Sequence, residues 1–196
     1  MKNINEFRNP EYEIDEVFLK RWSPRAFKPE PITEDELMTI FEAGKWAASS
    51  YNHQPWRFIY AMRDTPEWDR LLNLLAEPNQ IWAKNASALV VIISQRNFEF
   101  NNSPNKTHGF SSGTAFGNLS IQATMMGLYI HGMVGFDYGK AREDLGVPED
   151  FEVMAMFAVG KIGNKEDLPE DYQKMEFPSD RKKLKELVFE GEFRLN

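Results

Sequence analysis

Apolar positions recur along this chain in two periods, and each predicts a different kind of element. Helical spacing comes first. Asn9 followed by Pro10 reads as an N-cap and first helical residue, with Ile14, Val17 and Phe18 as the apolar stripe. Thr33-Glu34-Asp35-Glu36 has the form of a capping box, and Leu37, Ile40, Phe41 and Gly44 follow on one face. Thr65-Pro66-Glu67 opens a third helix carrying Trp68, Leu71, Leu72 and Leu75. Strand-like runs lie at 57–62, 87–94 and 151–161. The second is continuously apolar and rich in β-branched residues, as a central strand buried on both faces requires. A helix at 112–129 is apolar nearly all round, through Ala115, Phe116, Leu119, Ile121, Ala123, Met125, Met126 and Leu128. Such a helix belongs in a core or at a subunit interface. Asp137 can cap a short helix ending at Gly146, and Leu184, Leu187 and Val188 mark a helical turn in the tail. Helices alternating with few strands predict an α+β or α/β fold with helices on both faces of a sheet.

Composition narrows the classes. The 196 residues suit one domain with a real core, and an apolar content of 42% is far from disorder. The absence of cysteine removes disulfides, thiolate metal sites and thiol catalysis. A net charge of −7 argues against nucleic acid as a partner. No apolar run approaches the ~20 residues of a membrane span, and MKNINEFRNPEYEIDE has no signal-peptide stretch. Neither a membrane partner nor export is therefore expected, and residence is expected to be cytoplasmic. Aromatic residues are the one excess, at 15 Phe, 6 Tyr and 5 Trp, which suits either a ring-rich core or a site for a flat ligand.

Familiar catalytic motifs are missing: there is no GxGxxG, GxxxxGK[ST], GxSxG or HExxH. His53, His108 and His131 stand alone and read as structural, with no metal-ligand spacing. An enzyme here would need its chemistry supplied by a cofactor. Four segments could hold one. Residues 20–28 contain Lys20, Arg21, Arg25 and Lys28 with no acid, and Ser23 among them, a set suited to phosphate. Ser49, Ser50, Asn52 and Gln54 crowd a polar loop able to read the amide edge of a heterocycle. Gly132 and Gly135 allow close approach of backbone to a ligand face. Arg181, Lys182, Lys183 and Lys185 sit at a predicted helix start, where cations oppose the dipole and invite an anion. The polar stretch 95–108 is long enough for a lid or binding loop.

Taken in order, RWSPRAF, the helix capped at Thr33, AASSYNHQPWRF, SSGTAFGNLSIQATMMGL, GMVGF and DRKKL resemble the FMN-dependent nitroreductase family. The resemblance runs from about residue 20 to 185, and its specificity lies in the combination. It implies an α+β three-layer sandwich, with a mixed central sheet flanked by helices, and a single FMN-binding domain over residues 1–196. It implies an intertwined homodimer with FMN at the interface, the 112–129 helix at its centre, and a tail from about 180 reaching across the partner.

The implied cofactor contacts follow position by position. Arg21 and Arg181 match phosphate and ribityl ligands, with Lys183 beside them, and Ser23 matches a hydroxyl of the first motif. Arg25 stands where the family places a cation near flavin N1/O2, and Trp22 holds a variable position that often touches the ring. Ser49, Ser50, Asn52 and Gln54 fall on or beside a segment that comes from the partner subunit. Asn79 matches an amide that reads the pyrimidine edge. Met133, Val134 and Gly135 fall on the loop whose backbone N–H faces N5. Many relatives carry an acid where this chain has Val134, and Asp where it has Ser111, so substrate range is open. The implied activity is an NAD(P)H oxidoreductase. Hydride passes from NADH or NADPH through flavin N5, in ping-pong order, to a nitroaromatic, quinone or similar conjugated acceptor. Reductive dehalogenation, flavin breakdown or a non-catalytic flavin-binding module are alternatives on the same fold.

Overall fold

In a computed structural model describing residues 4–194, eleven helices and strands follow one another. They are α1 (Glu16–Lys20), α2 (Glu34–Lys45), β1 (Trp56–Met62), α3 (Trp68–Leu72), α4 (Glu77–Ala83), β2 (Ala88–Gln95), α5 (His108–Met125), β3 (Tyr129–Met133), α6 (Tyr138–Asp144), β4 (Phe151–Gly160) and α7 (Glu170–Gln173). The strands form one sheet in the order β1-β2-β4-β3. β2 is buried along nearly its whole length. Ala88, Val90 and Ile92 pack with Leu37, Ile40, Ala115 and Leu119 from α2 and α5. Leu89, Val91 and Ile93 pack with Leu71, Trp82 and Ala141 from α3, α4 and α6. The period-two alternation thus feeds two cores, one per face, and gives the α+β three-layer arrangement.

Within the chain every strand pair is antiparallel, where the resemblance implies a mixed sheet. The crossover β2–α5–β3 would deliver a parallel neighbour, but β4 inserts between the two strands and pairs against both. Two other readings need correction. The helix expected from Pro10 begins only at Glu16, where Asp15 caps by accepting from Val17 N at 2.8 Å. Arg8 explains why: its Nη1 donates to Leu19 O and Arg21 O, each at 2.6 Å. A continuous helix rising about 1.5 Å per residue would carry those carbonyls some ~20 Å along its axis. The 112–129 helix begins earlier, at His108, and ends at Met125. Gly127 at φ +74° turns the chain, Leu128 N donates to Ala123 O at 2.8 Å, and Tyr129 enters a strand. α4 and β3 have no counterpart among the predicted elements, although Pro78 in the first turn of α4 is a helix-start signal.

Candidate functional site

The site grows from the exit of α1. Residues 21–28 leave the helix extended and run along the far end of β4, fixed by Gly163 N to Ala26 O at 2.6 Å and Lys28 N to Lys161 O at 3.0 Å. Gly163 permits this contact, since a Cβ there would lie 2.9 Å from Phe27 C and O. A second restraint comes from the C-terminal side. The buried Glu176 carboxylate accepts from Arg25 N at 2.8 Å and Ala26 N at 2.9 Å. Burial pushes the Glu176 pKa up, and those backbone N–H bonds pull against the shift.

Between these segments lies a cleft of about 390 Å³. It brings together the predicted residues Arg21, Trp22, Ser23, Arg25 and Arg181 with Arg8, His131 and four residues of the 174–179 strap, Lys174, Met175, Phe177 and Ser179. Five of the lining side chains are cationic and none is acidic. Burial lowers the Arg8 pKa to about 10, with Arg181 and then Arg21 adding like-charge repulsion and Asp180 opposing it. Arg21 is lowered by burial and by Arg181. Among the described residues, no carboxylate ion pair neutralises Arg8, Arg21, Arg25 or Arg181. Mutually repelling guanidinium groups in a concave wall are what an anion relieves.

The rest of the cleft is flatter and less polar. Trp22 meets Tyr129 edge-on at 6.2 Å, and Met175 and Phe177 are about half exposed. His131 packs against buried Trp82 with the rings tilted by 39° and their centroids 4.5 Å apart, and its Nδ1 lies 2.9 Å from Pro24 O. Burial, together with the nearby Arg25 charge, brings its pKa down to about 4, against weaker opposing hydrogen bonds to Pro24 and Ser23. The ring is therefore neutral at pH 7 and donates to Pro24 O through Nδ1–H.

Lys183 lies outside this cleft, in an adjoining hollow of about 330 Å³ that shares Arg8, Arg21 and Arg181. Asn79, Val134 and Gly135 form a separate junction. Gly135 O accepts from Ala76 N at 2.9 Å and Asn79 Nδ2 at 3.0 Å, while Val134 is 73% exposed. Met133 sends its side chain into the core. Tyr172 Oη donates to Pro78 O at 2.9 Å, tying the strap beside Asn79.

Ser49, Ser50, Asn52 and Gln54 are not among the cleft's lining residues in the single chain. Their loop is conformationally unusual: Tyr51, Asn52 and Gln54 all have φ near +50°. Ser49 Oγ accepts from Gln54 N, and Gln54 Nε2 donates to Asn52 O. The 95–108 stretch is folded against it. Phe98 N donates to Ser103 O at 2.8 Å, and Phe98 and Phe100 contact Tyr51 edge-on. Sequence reasoning missed Arg8 and Glu176. Each is an isolated charge in a segment with no motif, and only the return of the chain termini to α1 gives it a role.

The structure is an α+β protein with a helix-covered antiparallel sheet and an arginine-walled cleft whose charge suits an anion. Residues 19–161 match the nitroreductase family, and the chain belongs to it. A crystal structure described as an oxidoreductase containing FMN superposes with a TM-score of 0.94 at 43% identity, over 99% of each chain. Protein DrgA of Synechocystis sp. is 27% identical over 180 residues, 76% of this chain and 83% of that protein. A Rhodopseudomonas palustris protein provisionally named NADH dehydrogenase/NAD(P)H nitroreductase is 27% identical over 89 residues, so the match spans 45% of each chain. Among the described residues, no helix is long and apolar enough to cross a membrane.

Proposed function

We propose that this chain is an FMN-dependent NAD(P)H oxidoreductase acting on a small conjugated acceptor such as a nitroaromatic or a quinone. The cleft wall carries the reading: cations without an acid at one end, and Trp22, Met175 and Phe177 beside them. That donor set fits a flat ring joined to a phosphate, and the relative containing FMN, similar over 99% of its length, supports it. When bound, FMN supplies hydride acceptance from NADH or NADPH and hydride donation to the acceptor.

The chain's own residues bind and orient. Arg21, Ser23 and Arg181 hold the phosphate end through charge-assisted bonds, and Lys183 adds charge from the neighbouring hollow. Arg25 offers positive charge to the pyrimidine edge, held there by Glu176 through its backbone. Trp22 flanks the ring. Neutral His131 adds no competing charge beside Arg25. Gly135 has its carbonyl occupied by Ala76 and Asn79, and among the described residues its N–H has no backbone acceptor, which suits a contact to N5. Met133 contributes backbone only, and Val134 borders the ring face.

The working unit is a homodimer in this reading. Ser49, Ser50, Asn52 and Gln54 then complete the partner's site. The exposed Phe110 and Met125 of α5, at 81% and 66%, gain cover. Sedimentation of FMN-loaded protein should give twice the chain mass; a fully loaded monomer would contradict the shared site.

One substitution tests the cofactor assignment. A charge-assisted bond contributes roughly 1.5–3 kcal/mol, so Arg21→Ala should weaken FMN binding by about ten-fold or more. Purified wild-type protein should be yellow and release FMN on heating. Colourless protein that FMN fails to stabilise would reject the reading.

A further inference from the structure

Arg8 is 5% exposed and belongs to no predicted motif, yet it touches every segment that builds the arginine cluster. Its Nη1 donates to Leu19 O and Arg21 O, and its Nε donates to Ser179 O at 3.0 Å. The first pair fixes the chain on either side of α1's exit. The last fixes the strap two residues before Arg181. Neighbouring contacts run in step with it: Phe7 stacks on Phe177 at 6.2 Å, and Glu11 Oε1 accepts from Leu184 N at 2.8 Å. The arm therefore lies along 177–184, and Arg8 is its link to Arg21.

We propose that Arg8 is a positioning residue that assembles the phosphate end, so that binding a phosphate monoester and docking the 174–181 strap are one coupled event. This rests on the FMN reading above. Nε and Nη1 of Arg8 are bonded to carbonyls of the two segments that carry Arg21 and Arg181, and through these bonds Arg8 positions both guanidinium groups for the phosphate. Burying a guanidinium beside two others is unfavourable without an anion, as the lowered Arg8 pKa records. The anion repays that repulsion only when the strap brings Arg181 against Arg21. Coupling of this kind is reciprocal: whatever loosens the strap weakens phosphate binding, and phosphate tightens the strap.

The test compares FMN with riboflavin, which lacks the phosphate, on full-length wild type, Arg8→Met and Arg8→Lys. Arg8→Met should lower FMN affinity about ten-fold or more and leave riboflavin affinity within about two-fold. Lys keeps the charge but cannot fork to three carbonyls, so Arg8→Lys should fail to restore FMN binding. Parallel loss of both ligands, no loss of either, or full rescue by Lys would overturn the inference alone. Wild type binding riboflavin as tightly as FMN would overturn the phosphate-end reading and the inference with it. A measurement on wild type covers the case of variants that do not fold. Inorganic phosphate alone should slow tryptic cleavage after Lys174, which lines the cleft on the strap with its ammonium paired to Asp171 at 3.0 Å. Equal cleavage rates with and without phosphate would overturn the coupling.

Discussion

His131 lines the cleft and Glu176 is buried on the strap that borders it; their pKa displacements are opposite, and so are the signs of their effects on stability. Above the ordinary histidine value near 6.5, His131 is neutral whether folded or unfolded and contributes no pH dependence. Between there and about 4 the unfolded chain takes a proton that the folded ring refuses, so stability falls as pH falls. The loss amounts to about 3 kcal/mol across that window. Burial raises the Glu176 pKa, so the folded state holds that proton more tightly than the unfolded chain does, and the stability it lends is lost as pH rises through the raised value. Urea unfolding of wild type and His131→Asn isolates the first effect. Asn can keep the donor to Pro24 O but cannot titrate, so its stability should decline less between pH 6.5 and 4. Identical slopes would show that His131 does not carry the effect. At this scale the sequence showed which residues could bear charge in the cleft, Arg21, Arg25 and Arg181. It read His131 as structural, and the ring does hold Pro24, yet it also lines the cleft. Arg8 and Glu176 were illegible because their partners are backbone groups 11 to 171 residues away.

The helices show where packing and backbone geometry each decide the outcome. α2 and α5 cross at Gly44, where an added Cβ would lie 2.6 Å from Leu119 Cδ2. Leu119 is fully buried, so Gly44→Ala forces repacking and should cost about 1–3 kcal/mol despite the better helix propensity of Ala. Gly127 has open space around its Cβ position but sits at φ +74°. Gly127→Ala should cost about 1–2 kcal/mol through backbone strain alone. Denaturant midpoints of the two variants check both, and a neutral Gly44→Ala would mean the crossing has slack. The capping box at Thr33 and the buried run of β2 were legible because they are local signals: Thr33 Oγ1 accepts from Glu36 N, and β2 is apolar on both faces. β3 was not, because Tyr129–Met133 continues the apolar composition of α5 and becomes a strand only by pairing with β4. α1 was misplaced for the complementary reason, since Arg8 overrides a sound local cap at Asn9.

Across the whole molecule, the net charge of −7 conceals a division of labour. Eight of the 23 cations fall in 20–28 and 181–185, within a chain carrying 30 acids. Folding returns the second segment to the first, so Arg21 and Arg181 share one cleft in an otherwise acidic protein. The long separation in sequence is why composition could not place an anion site. The 49–54 loop remains apart from that cleft within one chain, which is the observation behind the proposed dimer. The central claim is redox turnover through a bound FMN, and one measurement addresses it directly. NADH or NADPH is added without oxygen to the FMN-loaded protein while its visible absorption is followed. The account predicts that at least one nucleotide bleaches the absorption and that a quinone or nitroaromatic acceptor restores it. Absorption that neither nucleotide changes would contradict it.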